Sequence, residues 1–209
     1  MSNLITIIDY DMGNVGSIKN MIEYLGFTDV KISSDEKRIL NSSHLILPGV
    51  GSFDEGMKNL ETRGLDKLIK KYALELRKPL LGICLGMQLL GNSSEEGIRN
   101  GLSIIDFETV KFRQEKNLKI PHMGWNTIQI KQSNNPLLKD LENDYRFYFV
   151  HSYHAVTDDS KKILLTSNYG YEVVVAINSG SAYGVQFHPE KSHKFGMKLL
   201  QNFLEIGHV

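Results

Sequence analysis

Three short strand-like runs constrain this chain more than any other feature: LITIIDYD (4–11), closed by Asp9 and Asp11, HLILPG (44–49) and PLLGIC (79–84). PLLGIC is apolar throughout and reads as a central strand covered on both faces, the mark of a parallel sheet held between helices. The segments between them fit that arrangement. VGSIKNMIEYLG places Val15, Ile18, Met21, Ile22 and Leu25 at helical spacing, with Gly26 as a stop signal. A strand at VKI (30–32), a helical turn near Glu36–Leu40 and a long helical stretch from Phe53 to Leu76, broken at Gly64, complete the pattern. Strands alternating with helices at short loop lengths predict βαβ units.

The character changes after residue 100. TVKF (109–112), NTIQI (126–130), RFYFVHSY (146–153), ILLTS (163–167), EVVVAI (172–177) and SAYGVQFH (181–188) are strand-like, and FGMKLLQNFL (195–204) closes as an amphipathic helix. The expectation is an α/β fold of three layers: a mostly parallel open sheet, helices on both faces, and a β-rich C-terminal half that completes the sheet or adds a second small one. No repeat, linker or low-complexity segment divides the 209 residues, so residues 1–209 are expected to form one domain.

Composition narrows the functions. Lys+Arg and Asp+Glu both number 24, leaving no net field to gather nucleic acid or an anionic membrane. The start of the chain reaches Asp9 without a basic flank, unlike a secretion signal. The longest nearly apolar run, Pro79–Gly91, contains Gln88 and falls short of the ~20 residues of a membrane span. One cysteine forms no internal disulfide, which points to a reducing cytoplasm.

That cysteine, Cys84, stands in GICLG where a buried strand meets a helix. The pattern G-x-nucleophile-x-G lifts a side chain from the carboxyl edge of an α/β sheet. A free cysteine is also an ordinary small core hydrophobe, and on the pentapeptide alone the two readings balance. QFHPE (186–190) shifts the balance. A thiol nucleophile needs a base and a group to orient it. His188 and Glu190, two apart, point the same way in an extended backbone, and Pro189 favours that form at His188. An oxyanion site needs two amides: Leu85 supplies one, and LPGVG (47–51), flexible at Gly49 and Gly51, could supply another. Without the cysteine that loop would be a plain turn. DMGNVGS (11–17) lacks a G-x-G-x-x-G or Walker pattern and reads as a turn. His44, His122, His151, His193 and His208 lack metal-ligand spacing, so no metal or cofactor is expected.

Together LILPGVGSF, GICLGMQLL, PHMGWN, YFVHSY and GVQFHPEKS resemble the class I (triad) glutamine amidotransferases, most closely the glutaminase subunits of imidazole glycerol phosphate synthase, over nearly the whole chain. The resemblance implies that Cys84 attacks the side-chain amide of L-glutamine to give a glutamyl thioester and ammonia, with His188 as base then acid and Glu190 orienting it. It also implies that Gln88, Ser152 and Tyr153 hold glutamine's amino-acid end, with Gly51 and Leu85 near the oxyanion. Pro121, His122, Met123, Gly124, Trp125 and Asn126 match the partner-facing segment, the partner being a (β/α)8-barrel cyclase in a heterodimer of histidine biosynthesis. Trp125 has a plainer reading as a core aromatic.

VHSYH replaces the family's usual VHSYY, and EKSHKFGM resembles a paralogous branch that feeds ammonia to an amidotransferase acting on bacterial surface sugars. His154 and the acceptor reaction are therefore left open. A stand-alone Cys–His–Glu hydrolase and a catalytically silent scaffold subunit are the other readings.

Overall fold

The computed structural model describes residues 4–114 and 118–207, so His208 lies outside the described residues. The chain runs β1 (Ile5–Ile8), α1 (Val15–Tyr24), β2 (Val30–Ser33), α2 (Glu36–Asn41), β3 (His44–Leu47), α3 (Phe53–Thr62) and α4 (Leu65–Lys70). A wide helical turn (Lys71–Glu75) leads into β4 (Leu80–Ile83), α5 (Leu85–Leu89), β5 (Ser93–Ser94), β6 (Glu108–Lys111), β7 (His122–Thr127) and β8 (Gln129–Ile130). Then come β9 (Arg146–His151), β10 (Tyr153–Val156), β11 (Ile163–Tyr169), β12 (Tyr171–Ser179), β13 (Ala182–Val185) and α6 (His193–Glu205). The expected break at Gly64 separates α3 from α4, with that glycine at φ +68°. Gly26, at φ +94°, follows the last turn of α1 as its stop.

Both outcomes considered for the β-rich half occur. Among the described residues the main sheet has the order β2-β1-β3-β4-β13-β12-β10-β6-β5, with β11 and β8 joined through β12. It is parallel from β2 to β13 and turns antiparallel at β12, because β13 returns to pair with β4. A separate ribbon forms from β7 and β9. The strand at NTIQI begins four residues earlier than expected, so PHMGWN lies largely on β7.

The parallel strands show why their sequences do not alternate. On β1, Ile5 and Ile7 join one apolar cluster with α1 and α6, while Ile8 joins the other with α2, α3, α4 and α5. On β3, Ile46 faces the first cluster while Leu45 and Leu47 face the second. On β4, Leu81 and Ile83 face the first and Leu80 the second. Two cores leave no solvent-facing position, and the polar exceptions Thr6 and His44 are buried and hydrogen-bonded.

The backbones approach closely where α5 meets β3. A Cβ built on Gly86 would overlap the Leu47 carbonyl oxygen, and one on Gly82 would lie 2.6 Å from the Gly86 carbonyl oxygen. These glycines let α5 drop onto the sheet edge. Gly86→Ala is therefore expected to cost about 3 kcal/mol or more, because backbone rather than a flexible side-chain end must move. The check is the urea midpoint; a value within experimental scatter of the wild type would refute this packing account.

Candidate active site

Strand order assembles the site. β4 lies between β3 and β13, all three parallel, so their carboxyl ends open at one edge. The loop after β3 brings residues 48–51, the end of β4 brings Cys84, and the extension of β13 brings residues 186–190. Cys84 N–H donates to the Val185 carbonyl (2.8 Å), which extends the pairing of β4 with β13 to the cysteine.

Cys84 occupies a strained backbone, φ +55° and ψ −111°, in a region that residues with a Cβ rarely adopt. The strain turns the chain sharply from β4 into α5 and presents the thiol at the cavity floor, 7% exposed. Gln186 Nε2 approaches its sulfur at 3.9 Å, while Gln186 Oε1 accepts from Gln88 Nε2 at 3.0 Å.

His188 Nδ1 lies 2.8 Å from Glu190 Oε1, both side chains being almost fully buried. Its Nε2 is buried and makes no hydrogen bond of acceptable geometry. Burial alone would lower the His188 pKa, but the neighbouring Cys84 sulfur and Glu190 carboxylate outweigh it and raise the value to about 9. The Cys84 sulfur and the His188 imidazole are thus electrostatic neighbours, and both line the same cavity. Ser192 fixes this turn: its hydroxyl donates to the His188 carbonyl (2.6 Å) and accepts from Tyr148 N–H (3.0 Å).

A cavity of about 200 Å³ opens over the sulfur, lined by Val50, Gly51, Cys84, Leu85, Gln88, Glu96, Val150, His151, Ser152, Tyr153 and His188. All the residues expected at the substrate are there: Gly51, Leu85, Gln88, Ser152 and Tyr153. Leu85 opens α5, so its N–H has no acceptor within the helix. A larger groove of about 600 Å³ between Asp106–Glu108 and Val156–Asp159 carries carboxylates but no nucleophile, so volume does not select the site.

Two expectations change. Gly49 does not line the cavity, and it is a glycine for packing reasons: a Cβ would lie 2.7 Å from Tyr10 Oη and 2.8 Å from both Gly86 N and Leu85 Cβ. The Tyr10 hydroxyl donates to the Pro48 carbonyl at 2.5 Å and clamps this end of the loop. Burial, then the Cys84 charge, keep that phenol above its ordinary pKa and hence a neutral donor. Gly51 alone of the pair needs glycine's backbone freedom, at φ +131°. The partner-facing segment also divides. Met123 (61% exposed) and Trp125 (46%) point outward, so Trp125 is not a core aromatic, whereas His122 is buried at 2% against His151. Tyr148 and His193 contact the Trp125 ring.

His154, ambiguous in sequence, is buried away from the cavity, with Nε2 at the Tyr171 hydroxyl (3.0 Å) and Nδ1 at the Ala155 carbonyl (3.2 Å). Sequence reasoning missed Glu96, Gln186 and Ser192 as site residues. Gln186 had a signal, lying two before His188 on the same strand face. Glu96 had none, because only the fold brings the segment after β5 to the start of α3, where Glu96 accepts from the Phe53 amide at 2.9 Å.

A family model described as glutamine amidotransferase class-I matches residues 6–206. The chain belongs to that family. This amidotransferase is 54% identical over 202 residues to imidazole glycerol phosphate synthase subunit HisH 2 of Methanococcus maripaludis, covering 97% of this chain and 99% of the relative. It is 45% identical over 203 residues to subunit HisH 2 of Pseudomonas aeruginosa, covering 97% and 100%. The structure of PurLQS from Thermotoga maritima contains a chain that superposes with a TM-score of 0.73 at 20% identity, covering 98% of the amidotransferase and 99% of that chain. The fold is shared.

The buried histidines set a pH window for stability. Burial lowers His122 to about 4 and His151 to about 3, from an ordinary value of 6.5. Below pH 6.5 the unfolded chain takes up protons that these folded imidazoles refuse, so stability falls by about 1.4 kcal/mol per pH unit per histidine until their folded values are reached. His188 acts oppositely: its raised pKa contributes fully below 6.5 and the contribution is lost as pH climbs through about 9. Urea midpoints should peak near pH 6.5 and fall on both sides, more steeply toward acid. A flat profile between pH 4.5 and 6.5 would contradict the burial of this pair.

Proposed function

We propose that this amidotransferase is the glutaminase subunit of an imidazole glycerol phosphate synthase. On this reading it hydrolyses L-glutamine through a Cys84 thioester and delivers ammonia to a (β/α)8-barrel cyclase partner. The observation that carries the proposal is the meeting of Cys84 and His188 at one small cavity, with Glu190 bonded behind His188, in a chain similar over 97% of its length to two such subunits. Cys84 sulfur attacks the carboxamide carbon while its proton resides on His188. His188 then gives that proton to the departing nitrogen, and ammonia leaves as the thioester forms. Water, deprotonated by His188, attacks the thioester; glutamate departs and the thiol regains its proton. Glu190 holds the imidazole and stabilises its charged form. The Leu85 amide serves the developing oxyanion, and the Val50–Gly51 loop supplies a second donor once docking turns an amide toward it. The Glu96 carboxylate suits the substrate's ammonium group, with Gln88, Ser152 and Tyr153 holding the same end. No cofactor or metal is needed for these steps.

Met123 and Trp125 supply the outward apolar face on which a partner docks, in a one-to-one heterodimer. The continuous main sheet supports treating residues 1–209 as one domain, and the lone cysteine suits a reducing cytoplasm. Among the described residues no helix is long and apolar enough to cross a membrane. The acceptor chemistry lies in the partner, so the histidine-pathway and surface-sugar readings differ in which synthase subunit binds.

The test is turnover at saturating glutamine with and without the cyclase. Docking is expected to raise it about a hundredfold, the worth of one oxyanion donor of about 3 kcal/mol brought into line. Gly51→Ala should remove most of that gain, because φ +131° is closed to alanine while its Cβ meets only the mobile end of Met12. Equal turnover of the free and docked wild type would favour the stand-alone hydrolase.

A further inference from the structure

His122 and His151 face each other across the β7–β9 ladder, 29 residues apart in sequence, with Nδ1 of the first 2.9 Å from Nε2 of the second. The direction of this bond is fixed by its ends. Asn126 Oδ1 accepts from Thr127 N–H (2.9 Å), so its Nδ2 is the donor to the Asn168 carbonyl (2.9 Å) and to His122 Nε2 (3.2 Å). His122 Nε2 is thus an acceptor and its proton sits on Nδ1, donated to His151 Nε2. The His151 proton then sits on Nδ1 and is donated to the Tyr153 carbonyl at 2.7 Å. His122 is held flat between the rings of Phe149 (4.6 Å) and Tyr169 (3.9 Å), which leaves the imidazole little freedom to turn.

This chain of bonds joins two surfaces. β7 carries Met123 and Trp125 on its outer face and His122 on its inner one, while Tyr153 lines the cavity over Cys84. We propose that His122 and His151 are positioning residues that transmit the placement of β7 to the Tyr153 carbonyl, so that a protein seated on Met123 and Trp125 sets the glutamine-holding wall. The proposal rests on the glutaminase reading and deepens it by naming the path from docking face to substrate. His151 also lines the cavity, but the hydrogen bonds of both imidazoles run to each other, to Asn126 and to the Tyr153 carbonyl rather than to Cys84, His188 or Glu190. Their work is to hold one carbonyl in register, through neutral rings whose single protons all point the same way.

The test has two parts. Nitrogen-15 spectra of histidine-labelled full-length chain at neutral pH should show both imidazoles protonated at Nδ1; an Nε2–H form at either residue overturns the relay. In the complex with the cyclase, His122→Leu should raise the KM for glutamine about tenfold with kcat little changed, the worth of one lost hydrogen bond expressed in binding. His122→Asn, which keeps a donor near the Nδ1 position, should return KM toward wild type. A His122→Leu complex with wild-type KM, or an Asn variant as impaired as the Leu variant, overturns the proposal. Should the Leu variant not fold, the spectra of the wild-type chain decide the matter. A wild-type complex that releases no glutamate would instead fail the glutaminase reading, with the spectra still reporting on the relay.

Discussion

Cys84→Ala is expected to lower glutamine hydrolysis by about four orders of magnitude or more while leaving the fold intact. Loss of the nucleophile removes the covalent route entirely, and residual catalysis from the oxyanion amides and substrate binding would be all that remains. Cys84→Ser should be nearly as inactive, because a hydroxyl at this position is a far weaker nucleophile than a thiolate beside an imidazolium. Ammonia supplied in solution should still drive the partner's synthase reaction with either variant, since that chemistry lies outside this cavity. Glutaminase activity near wild type in Cys84→Ala would sink the assignment. The backbone adds a stability signature. Cys84 sits at φ +55°, where glycine is free of strain, so Cys84→Gly should be inactive yet more stable than Cys84→Ala by about 1 kcal/mol.

The second large effect is at the base. His188→Ala should reduce turnover by about three orders of magnitude, because no other group near the sulfur is placed to take its proton and return it to the leaving nitrogen. Glu190→Gln should cost less, about a hundredfold. The amide oxygen can still accept from His188 Nδ1, but it no longer stabilises the charged ring whose pKa the carboxylate and sulfur together raise to about 9. Its Oε2 is buried without a hydrogen bond, so the substituted amide would also bury unpaired N–H groups. Steady-state rates of the two variants with partner bound decide the order; a Glu190→Gln variant slower than His188→Ala would reverse the assigned roles.

Much of this was legible in the sequence for identifiable reasons. PLLGIC could be placed as a central parallel strand because two cores demand continuous apolar sequence, and the two clusters divide its residues in alternation. Cys84 could be singled out because Gly82 and Gly86 flank it, and both are required by contacts with the backbone of neighbouring elements. His188 and Glu190 declared each other through a spacing of two. The rest depended on long-range juxtaposition. Nothing local in SSEEGIRN places Glu96 at the cavity wall, and nothing in PHMGWN tells that His122 turns inward to meet His151 while Met123 and Trp125 turn outward. That division follows once β7 is paired with β9, a register set by tertiary contacts. Gly49 and Gly51 looked alike in sequence, yet one is dictated by a close approach and the other by a positive φ.

The central claim is that glutamine is opened through a covalent bond to Cys84. It is tested most directly by mixing the complex with isotopically labelled glutamine, quenching in acid within a turnover, and mapping the label by mass spectrometry of the digested chain. The account predicts a glutamyl group on the peptide containing Cys84, released by mild base or hydroxylamine and missing in Cys84→Ala. Full glutaminase turnover with no label on that peptide, or with the label on another residue, would contradict it.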